Sequence, residues 1–233
     1  MDTKSSSSQR RAVVVLSGGL DSTVLAYRLS AAGWRLTTLT FNYGQTHRRE
    51  IQYAWRTAAA LGGVTHRVVN LGDITDLLAG SALTDSAVEI PDGHYTDPSM
   101  RATVVPNRTA IMLDIATAHA IATHAQAVAF GGRDAAPTIH PDHRPEFVTA
   151  YERATRAGND GYLHPDFQLL TPFTGSTKAD IVAEGVTLRV PFADTWSCYK
   201  GRARHCAACG ACVARREAFF VAGVPDPTEY EQP

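Results

Sequence analysis

The chain has 233 residues, of which 44% are hydrophobic, and a formal net charge of −1. This length allows one α/β core with a small appendage but hardly two independent domains. The charge exerts no overall attraction on nucleic acid or on a membrane surface, which favours a small-molecule substrate. No apolar stretch approaches the length of a membrane span, and the first nine residues lack the apolar core of a signal peptide. We therefore expect a cytoplasmic protein, with residues 1–10 as a disordered tail.

Apolar runs typical of buried strands alternate with segments of helical periodicity. Strands are predicted at 12–16, 36–41, 66–71 and 127–130, with a weaker one at 167–170, and helices at 22–32, 47–61, 108–124, 144–157, 178–184 and 211–222. This alternation indicates crossover connections and a Rossmann-like α/β fold, in which helices cover both faces of a parallel sheet. We place the main domain at 11–190 and a small C-terminal module at 191–233.

The turn between the first strand and the first helix carries a glycine motif, S-G-G-L-D-S, at residues 17–22. Gly18 and Gly19 let the backbone approach an anion closely, and the N–H groups and dipole of the next helix point to the same place. Phosphate is the expected ligand, although neither the P-loop pattern nor G-x-G-x-x-G is present. The alternative is a serine- and glycine-rich turn without a ligand.

Other polar residues are predicted to meet this loop. Ligands of parallel sheets bind beyond the carboxyl ends of the strands, where Ser17, Asn42 and Gly131 would lie. Arg108 and Lys178 each open a predicted helix, a place where the helix dipole disfavours a cation unless an anion is bound. Each of the two could instead be a solvated helix end. If they converge, they form one anion-binding crevice.

Residues 80–106 interrupt the alternation with proline and glycine turns and no apolar period. A loop of this length in a compact α/β domain is usually functional or mobile. We expect it to be a lid or an interface segment over the nucleotide.

All four cysteines, Cys198, Cys206, Cys209 and Cys212, lie within fifteen residues in the spacing C-x7-C-x2-C-x2-C. Such crowding in a cytosolic enzyme favours metal ligation over disulfide formation. Four thiolates make a closed tetrahedral site, the usual arrangement of structural zinc. An iron–sulfur cluster is the alternative, because C-x2-C-x2-C also opens the bacterial ferredoxin motif, although no further cysteine follows here.

Eight short motifs follow one another between residues 15 and 230: S-G-G-L-D-S, F-N-Y-G-Q-x-H-x-x-E, S-A-L-T, V-P-x-R, T-P-x-x-x-x-T-K-A, T-W-S-C-Y, C-x-x-C-x-x-C and D-P-T-E-Y. Together they resemble the 7-cyano-7-deazaguanine synthase family of the queuosine pathway. The first motif resembles the pyrophosphate loop of the ATP pyrophosphatases. The cysteine cluster joined to this loop is the most specific part of the resemblance.

The resemblance implies an adenine nucleotide α-hydrolase-like fold and a homodimeric ligase. The reaction would convert 7-carboxy-7-deazaguanine and ammonia, by way of the amide, into the nitrile, and would split ATP into AMP and pyrophosphate. The cofactors implied are Mg²⁺ and one structural Zn²⁺ per chain, the latter held by the four cysteines.

The resemblance also implies roles for individual residues. Catalysis is assigned to Asp21, Arg108 and Lys178. The nucleotide would contact these three residues and the rest of the loop, namely Leu16, Ser17, Gly18, Gly19, Leu20 and Ser22. Our own candidates for contact with the substrate are Gln45, His47, Gly131 and Asp134.

The loop after the fourth strand departs from the family pattern. Ala136, His140 and His143 stand where the family usually has aspartate, tyrosine and cysteine, so a related carboxylate or amide is an alternative substrate. Asp134 is the nearest substitute for the carboxylate missing at Ala136. His140 and His143, beside Asp142, could bind a second metal ion; the alternative is a polar, proline-rich loop without a metal.

Two other function classes share the pyrophosphate loop. A tRNA-thiolating enzyme would need a catalytic cysteine pair or cluster and an RNA-binding surface. A small basic patch is available for this near the cysteines, at Lys200, Arg202, Arg204, Arg215 and Arg216. The other class is a nucleotide-binding regulatory module without turnover, against which the intact Asp21, Arg108 and Lys178 argue. If zinc takes all four cysteines, none is left to hydrolyse glutamine, so ammonia would arrive free or from another protein.

Overall fold

A computed structural model of the chain describes residues 9–133 and 139–231. In these ranges a five-stranded parallel sheet has the order β3-β2-β1-β4-β5, with strands Arg11–Val15 (β1), Arg35–Asn42 (β2), Thr65–Asn70 (β3), Ala127–Ala129 (β4) and Gln168–Leu170 (β5). The α-helices are Leu20–Ala31 (α1), Glu50–Leu61 (α2), Arg108–Ala122 (α3), Pro145–Gly158 (α4), Lys178–Thr187 (α5) and Gly210–Val221 (α6). The predicted strands and helices are confirmed. Residues 1–8 of the expected tail lie outside the described ranges.

Side chains of β1 alternate between two cores, one on each face of the sheet. Ala12 and Val14 pack with residues of α1, α2, α5 and α6, whereas Val13 packs with residues of α3 and α4. All three side chains are buried. A strand covered on both faces needs apolar residues at successive positions, which explains its continuous apolar run. The expected Rossmann-like arrangement of helices on both faces is confirmed.

The order of the strands decides where a ligand can bind. β1 pairs with β2 on one side and with β4 on the other. Crossover connections leave a central strand of this kind in opposite directions and open a crevice beyond its carboxyl end. Ser17 after β1 and Gly131 after β4 both line a cavity at this point.

The C-terminal residues share a core with the main sheet. Ala218 and Phe219 of α6 are buried in the same cluster as Ile181 of α5, and the rings of Phe192 and Phe219 are 5.0 Å apart. The predicted boundary between a main domain and a C-terminal module near residue 190 therefore stays a prediction. No helix in the part of the chain that the structure describes is long and apolar enough to cross a membrane.

Residues 80–106 pack against the rest of the fold. Met100, in a short 3₁₀ helix, is fully buried, and the backbone N–H of Gly93 donates to the carbonyl of Ala208 over 2.9 Å. The hydroxyls of Tyr95 and Tyr199 are 2.6 Å apart. The segment thus joins the cysteine region to the cavity, which Tyr95 lines.

Candidate active site

The glycine loop between β1 and α1 has a conformation that requires glycine. Gly18 has φ +82°, and a Cβ atom there would lie 2.3 Å from the backbone oxygen of Glu50. The Ser22 Oγ accepts from the Ser17 N–H over 3.2 Å, and the Ser17 Oγ accepts from the Gly19 N–H over 3.2 Å. Gly19 has no side chain with which to cap α1, so the first turn of α1 faces the cavity ready to bind an anion.

Asp21 and Lys178 meet at this loop. The Lys178 Nζ lies 3.0 Å from the Asp21 Oδ2, and the Arg133 Nε lies 3.8 Å from the same oxygen. Burial lowers the pKa of Lys178, while the Asp21 carboxylate opposes this change. The Asp21 Oδ1 is buried and has no hydrogen-bond partner among the residues described. A buried carboxylate oxygen without a donor is suited to a cation.

Lys178 is positioned by the start of α5. The Thr177 Oγ1 accepts from the Asp180 N–H over 3.1 Å, and the Asp180 Oδ2 accepts from the Thr177 N–H over 2.8 Å. This capping box fixes the first turn of the helix, and the lysine side chain leaves from that turn toward Asp21.

Arg108 begins α3 and lines the same cavity. Its Nη1 donates to the Tyr43 hydroxyl over 3.1 Å, and the guanidinium carbon lies 5.6 Å from the centre of the Tyr43 ring. Burial raises the pKa of Tyr43 to about 12, although Arg108 opposes this change, so the partner of the arginine is a neutral phenol. In the described ranges, no carboxylate oxygen lies within 4.0 Å of Arg108. Its charge is available to an anionic ligand.

Gln45 does not contact the cavity as expected. It is fully buried and lies behind the cavity wall, where its Nε2 donates to the Phe41 carbonyl over 2.9 Å and to the Glu50 Oε1 over 3.0 Å. Its Oε1 accepts from the Tyr43 N–H over 2.9 Å. The physical reason for the difference is that the tight turn before α2 leaves buried backbone groups, and the amide of Gln45 satisfies them. Gln45 positions Glu50 and does not face a ligand.

His47 lines the cavity beside Glu50. Its Nε2 lies 3.6 Å from the Glu50 Oε1, whereas its Nδ1 is buried and has no hydrogen-bond partner in the described part of the chain. Burial lowers the pKa of His47 to about 3, and the nearby charge of Arg108 acts in the same direction. The ring is therefore neutral at physiological pH.

Glu50 is a cavity residue that sequence reasoning missed, although it ends the motif F-N-Y-G-Q-x-H-x-x-E. It is 9% exposed, at the start of α2. Burial raises the pKa of its carboxyl to about 7, while the hydrogen bond from Gln45 and the charge of Arg108 lower it. The sequence did hold one indication of its role: Glu50 is an acidic residue in the same motif as Gln45 and His47, both of which were predicted to contact the substrate.

Aromatic side chains form another part of the wall. Four of them are Tyr95, Tyr199, His140 and His143. The centres of the two histidine rings are 5.1 Å apart. Burial lowers the pKa of His140 to about 3 and also lowers that of His143, so both rings are neutral at physiological pH. Tyr95 comes from the segment 80–106, which is expected near the nucleotide, but no sequence signal singles out this residue.

The structure brings most of the sequence-predicted residues to one cavity of about 260 Å³. Those that line it are Leu16, Ser17, Gly19, Leu20, Asp21, Ser22, His47, Arg108, Gly131 and Lys178. Gly18 and Gln45 are not among its lining residues. The predicted contact at Asp134 lies outside the described residues, as does Ala136.

The four cysteine sulfurs lie within 4.8 Å of one another, and those of Cys206 and Cys212 are 3.9 Å apart. Four sulfurs held ~2.3 Å from one zinc ion would be about 3.8 Å apart. The Cys209 N–H donates to the Cys206 Sγ over 3.2 Å, and the Cys206 N–H donates to the Cys198 Sγ over 3.4 Å. This cluster of thiols can therefore bind a metal ion such as zinc.

Within the described ranges, the cysteines are the one group of three or more possible metal ligands that converge in this way. His140, Asp142 and His143 do not, so the structure gives no support to a second metal site there. These residues belong to the wall of the cavity and to the turn beside it.

The basic patch expected near the cysteines is not a free basic surface. Arg215 is completely buried, and its Nε lies 3.2 Å from the Asp226 Oδ1, because a buried guanidinium needs a compensating carboxylate. Three further members are in ion pairs, Lys200 with Asp92, Arg202 with Glu231 and Arg204 with Glu229, and Arg216 lies exposed over the Tyr230 ring. This arrangement disfavours the RNA-binding alternative.

Comparison with known proteins identifies the family of this chain. The family model described as "Queuosine biosynthesis protein QueC" matches residues 11–223. A 7-cyano-7-deazaguanine synthase of Paracoccus denitrificans (strain Pd 1222) is 51% identical over 221 residues, which are 95% of this chain and 93% of the relative. Another from Rhizobium meliloti (strain 1021) is 50% identical over 223 residues, 96% of this chain and 93% of the relative. The family resemblance of the motifs is confirmed, and the chain belongs to the QueC family of queuosine biosynthesis proteins.

Proposed function

We propose that this protein is a 7-cyano-7-deazaguanine synthase, a ligase that uses ATP to convert 7-carboxy-7-deazaguanine and ammonia into the nitrile. The observation that carries the proposal is the cavity in which the glycine loop, the Asp21–Lys178 pair and Arg108 converge. Family membership and the names of the relatives support it.

The reaction would begin with activation of the carboxylate, because a carboxylate is a poor electrophile. Its oxygen attacks the α-phosphorus of ATP, and the bond between the α-phosphorus and the bridging oxygen to the β-phosphate breaks. The turn at residues 17–22 and the first turn of α1 would bind the departing pyrophosphate. Lys178 and Arg108 are cations already in place beside the developing negative charge, which is the most effective form of electrostatic stabilisation.

The adenylated acid would then react with ammonia. The nitrogen bonds to the carbonyl carbon, the carbon–oxygen bond to AMP breaks, and the nitrogen loses a proton to give the amide. A second ATP would adenylate the amide oxygen, and loss of AMP with the two amide protons leaves the nitrile. Both rounds need the same pyrophosphate loop and the same cations, which is why one cavity suffices.

The ligand atoms in the cavity and in the cysteine cluster fit one metal ion each. The Asp21 Oδ1, buried without a donor, would hold Mg²⁺, which would screen the charge of the pyrophosphate leaving group. The four cysteines would hold one structural Zn²⁺ per chain, since a site closed by four thiolates leaves no position for a substrate.

The planar deazaguanine would lie against the aromatic part of the wall, formed by Tyr43, Tyr95, Tyr199, His140 and His143. Asp134 is our candidate for the carboxylate that Ala136 lacks, with Gly131 beside it. Ammonia would come from solution or from another protein. We further propose a homodimer in the cytoplasm.

A single incubation tests this function. The protein is mixed with ATP, Mg²⁺, ammonium and 7-carboxy-7-deazaguanine, and the products are identified by mass spectrometry. We expect amide followed by nitrile, with pyrophosphate and AMP formed together. Pyrophosphate release with another carboxylic acid, and none with 7-carboxy-7-deazaguanine, would show a different substrate for the same chemistry.

A further inference from the structure

The Glu50 carboxyl is a buried acidic group in the cavity wall that the steps above do not use. Its side chain is 12% exposed, and its Oε1 accepts from the Gln45 Nε2 over 3.0 Å. Among the described residues, no lysine or arginine nitrogen lies within 4.0 Å of it, and its nearest basic neighbour is His47. Burying a carboxylate without a cation costs free energy of folding. A chemical role in the cavity would explain why an acidic residue occupies this position.

Glu50 begins α2 beside the pyrophosphate loop and also lines the cavity. Its backbone oxygen packs so closely on Gly18 that a Cβ atom there would lie 2.3 Å away, which places the start of α2 against the pyrophosphate loop. Tyr43, Arg108 and Tyr199 line the same cavity as Glu50, and the Arg108 Nη1 donates to the Tyr43 hydroxyl. The start of α2 thus contacts the pyrophosphate loop, and Glu50 lines the same cavity as the aromatic part of the wall.

His47 adds a second, independent indication of a ligand. The side chain is 5% exposed and lines the cavity, and its Nδ1 has no partner in the described part of the chain. With a proton on Nε2 directed toward Glu50, the Nδ1 is a hydrogen-bond acceptor. A carboxylate and an imidazole acceptor side by side form a site for a small molecule with several N–H donors.

We propose that Glu50 is the general base of amide formation and that, with the Nδ1 of His47, it holds ammonia against the adenylated acid. This inference rests on the proposed function. The lone pair of ammonia forms a bond to the acyl carbon, and the bond from that carbon to the AMP oxygen breaks with its electron pair. One proton passes from the new C–N nitrogen to the Glu50 carboxylate and later to solvent, leaving the amide and AMP.

The groups that face Glu50 come from three parts of the fold. Gln45, His47 and Tyr43 precede it on the same segment, Arg108 faces it from α3, and Tyr199 faces it from the cysteine region. Burial raises the pKa of Glu50 to about 7, with Gln45 and Arg108 acting in the opposite direction. A base with a pKa close to the working pH takes up a proton and returns it readily.

The test separates adenylation from nitrogen addition in E50Q. Adenylation is followed as exchange of labelled pyrophosphate into ATP, which needs 7-carboxy-7-deazaguanine but no ammonia. We expect E50Q to keep this exchange and to lose about 10²-fold or more in amide formation. At a fixed concentration of unprotonated ammonia, amide formation by the parent protein should rise with pH around neutrality, and this rise should be absent in E50Q. Hydroxylamine, which is already unprotonated near neutral pH, should still trap the adenylated acid in E50Q.

Two further variants serve as controls. Glu184→Gln removes a partly exposed carboxylate paired with Arg28, outside the cavity, and should change neither half-reaction. Gln45→Leu removes the donor to Glu50 and should shift the rising part of the pH profile toward higher pH, which a purely structural role of Glu50 would not cause. If E50Q does not fold, this shift carries the test.

Each contrary outcome has a distinct meaning. Amide formation by E50Q at the parent rate overturns the assignment of Glu50, as does equal loss of exchange and amide in a folded E50Q. An unchanged pH profile in Gln45→Leu also overturns it. Absence of acid-dependent exchange in the parent protein rejects the proposed function itself, and this inference with it.

Discussion

The Lys178 Nζ lies 3.0 Å from the Asp21 Oδ2 and thereby joins the first turn of α5 to the first turn of α1. The two residues are far apart in sequence, but each lies just beyond the carboxyl end of a strand, Asp21 after β1 and Lys178 after β5. Because Lys178 occupies one oxygen of Asp21 and leaves the other buried without a donor, the pair presents both a cation and a cation ligand to the cavity.

Asp21→Ala should abolish ATP-dependent pyrophosphate release and leave a folded protein. The substitution removes the carboxylate without altering the glycine loop or the buried strand β1. Pyrophosphate release and circular dichroism measure the two effects. Asp194→Ala, which removes an exposed partner of Arg56, is the matched control and should change stability by about 0–1 kcal/mol and activity not at all. Release of pyrophosphate at the parent rate by D21A would rule out our assignment of the nucleotide site.

Lys178→Ala should lower kcat more than it raises the KM for ATP. A cation that acts on charge developing during the transfer stabilises the transition state more than the bound substrate. Steady-state kinetics at several ATP concentrations measure the two constants. An unchanged kcat with a raised KM would make Lys178 a binding contact only.

One zinc ion per chain should be found by elemental analysis, and Cys206→Ser or Cys209→Ser should destabilise or precipitate the protein. Metal binding and folding of a closed thiolate site are coupled, so the loss of one ligand loosens the others. Chelation should lower the Tm and also raise the KM for the carboxylate substrate, because Tyr199 beside Cys198 lines the cavity. Stoichiometric iron with visible absorbance would identify a cluster instead of zinc.

Glu50→Gln should stabilise the protein at alkaline pH but not at acid pH. The pKa of the Glu50 carboxyl is raised from 4.5 to about 7 in the folded protein, so in this interval the folded state binds a proton that the unfolded state has lost. The free energy of unfolding of the parent therefore falls as the pH rises from 4.5 through about 7. E50Q lacks this fall, and its gain at pH above 7 is on the order of 3 kcal/mol. Denaturation by urea at two pH values measures it, and an equal effect at both would contradict the raised pKa.

Arg215→Met should destabilise the protein by about 3–5 kcal/mol, because it leaves Asp226 partly buried without its cation. The guanidinium also donates to the Thr195 Oγ1 over 2.7 Å and to the Phe192 carbonyl over 2.9 Å, and both acceptors would be left without this donor. Arg204→Ala, which breaks an exposed ion pair, should cost about 0–1 kcal/mol. If both variants melt at the same temperature, the buried pair contributes no more than the surface one.

Local patterns in the sequence sufficed to predict the order of strands and helices, the glycine loop and the cysteine cluster. Strand and helix periodicity, the paired glycines of the turn and the spacing of the cysteines are each properties of a short segment. The anion-binding role of Arg108 and Lys178 could also be predicted from the sequence. A cation in the first turn of a helix interacts unfavourably with the helix dipole, and this indicates a bound anion.

Only the tertiary structure decided which polar side chains face the cavity. Gln45 turns inward to satisfy backbone groups, Glu50 lines the cavity, and Tyr95 reaches the wall from a segment without periodicity. Arg215 looked like part of a basic surface but is buried against Asp226. The sequence could not determine these placements by itself, because burial and pairing depend on contacts that form only when distant segments pack together.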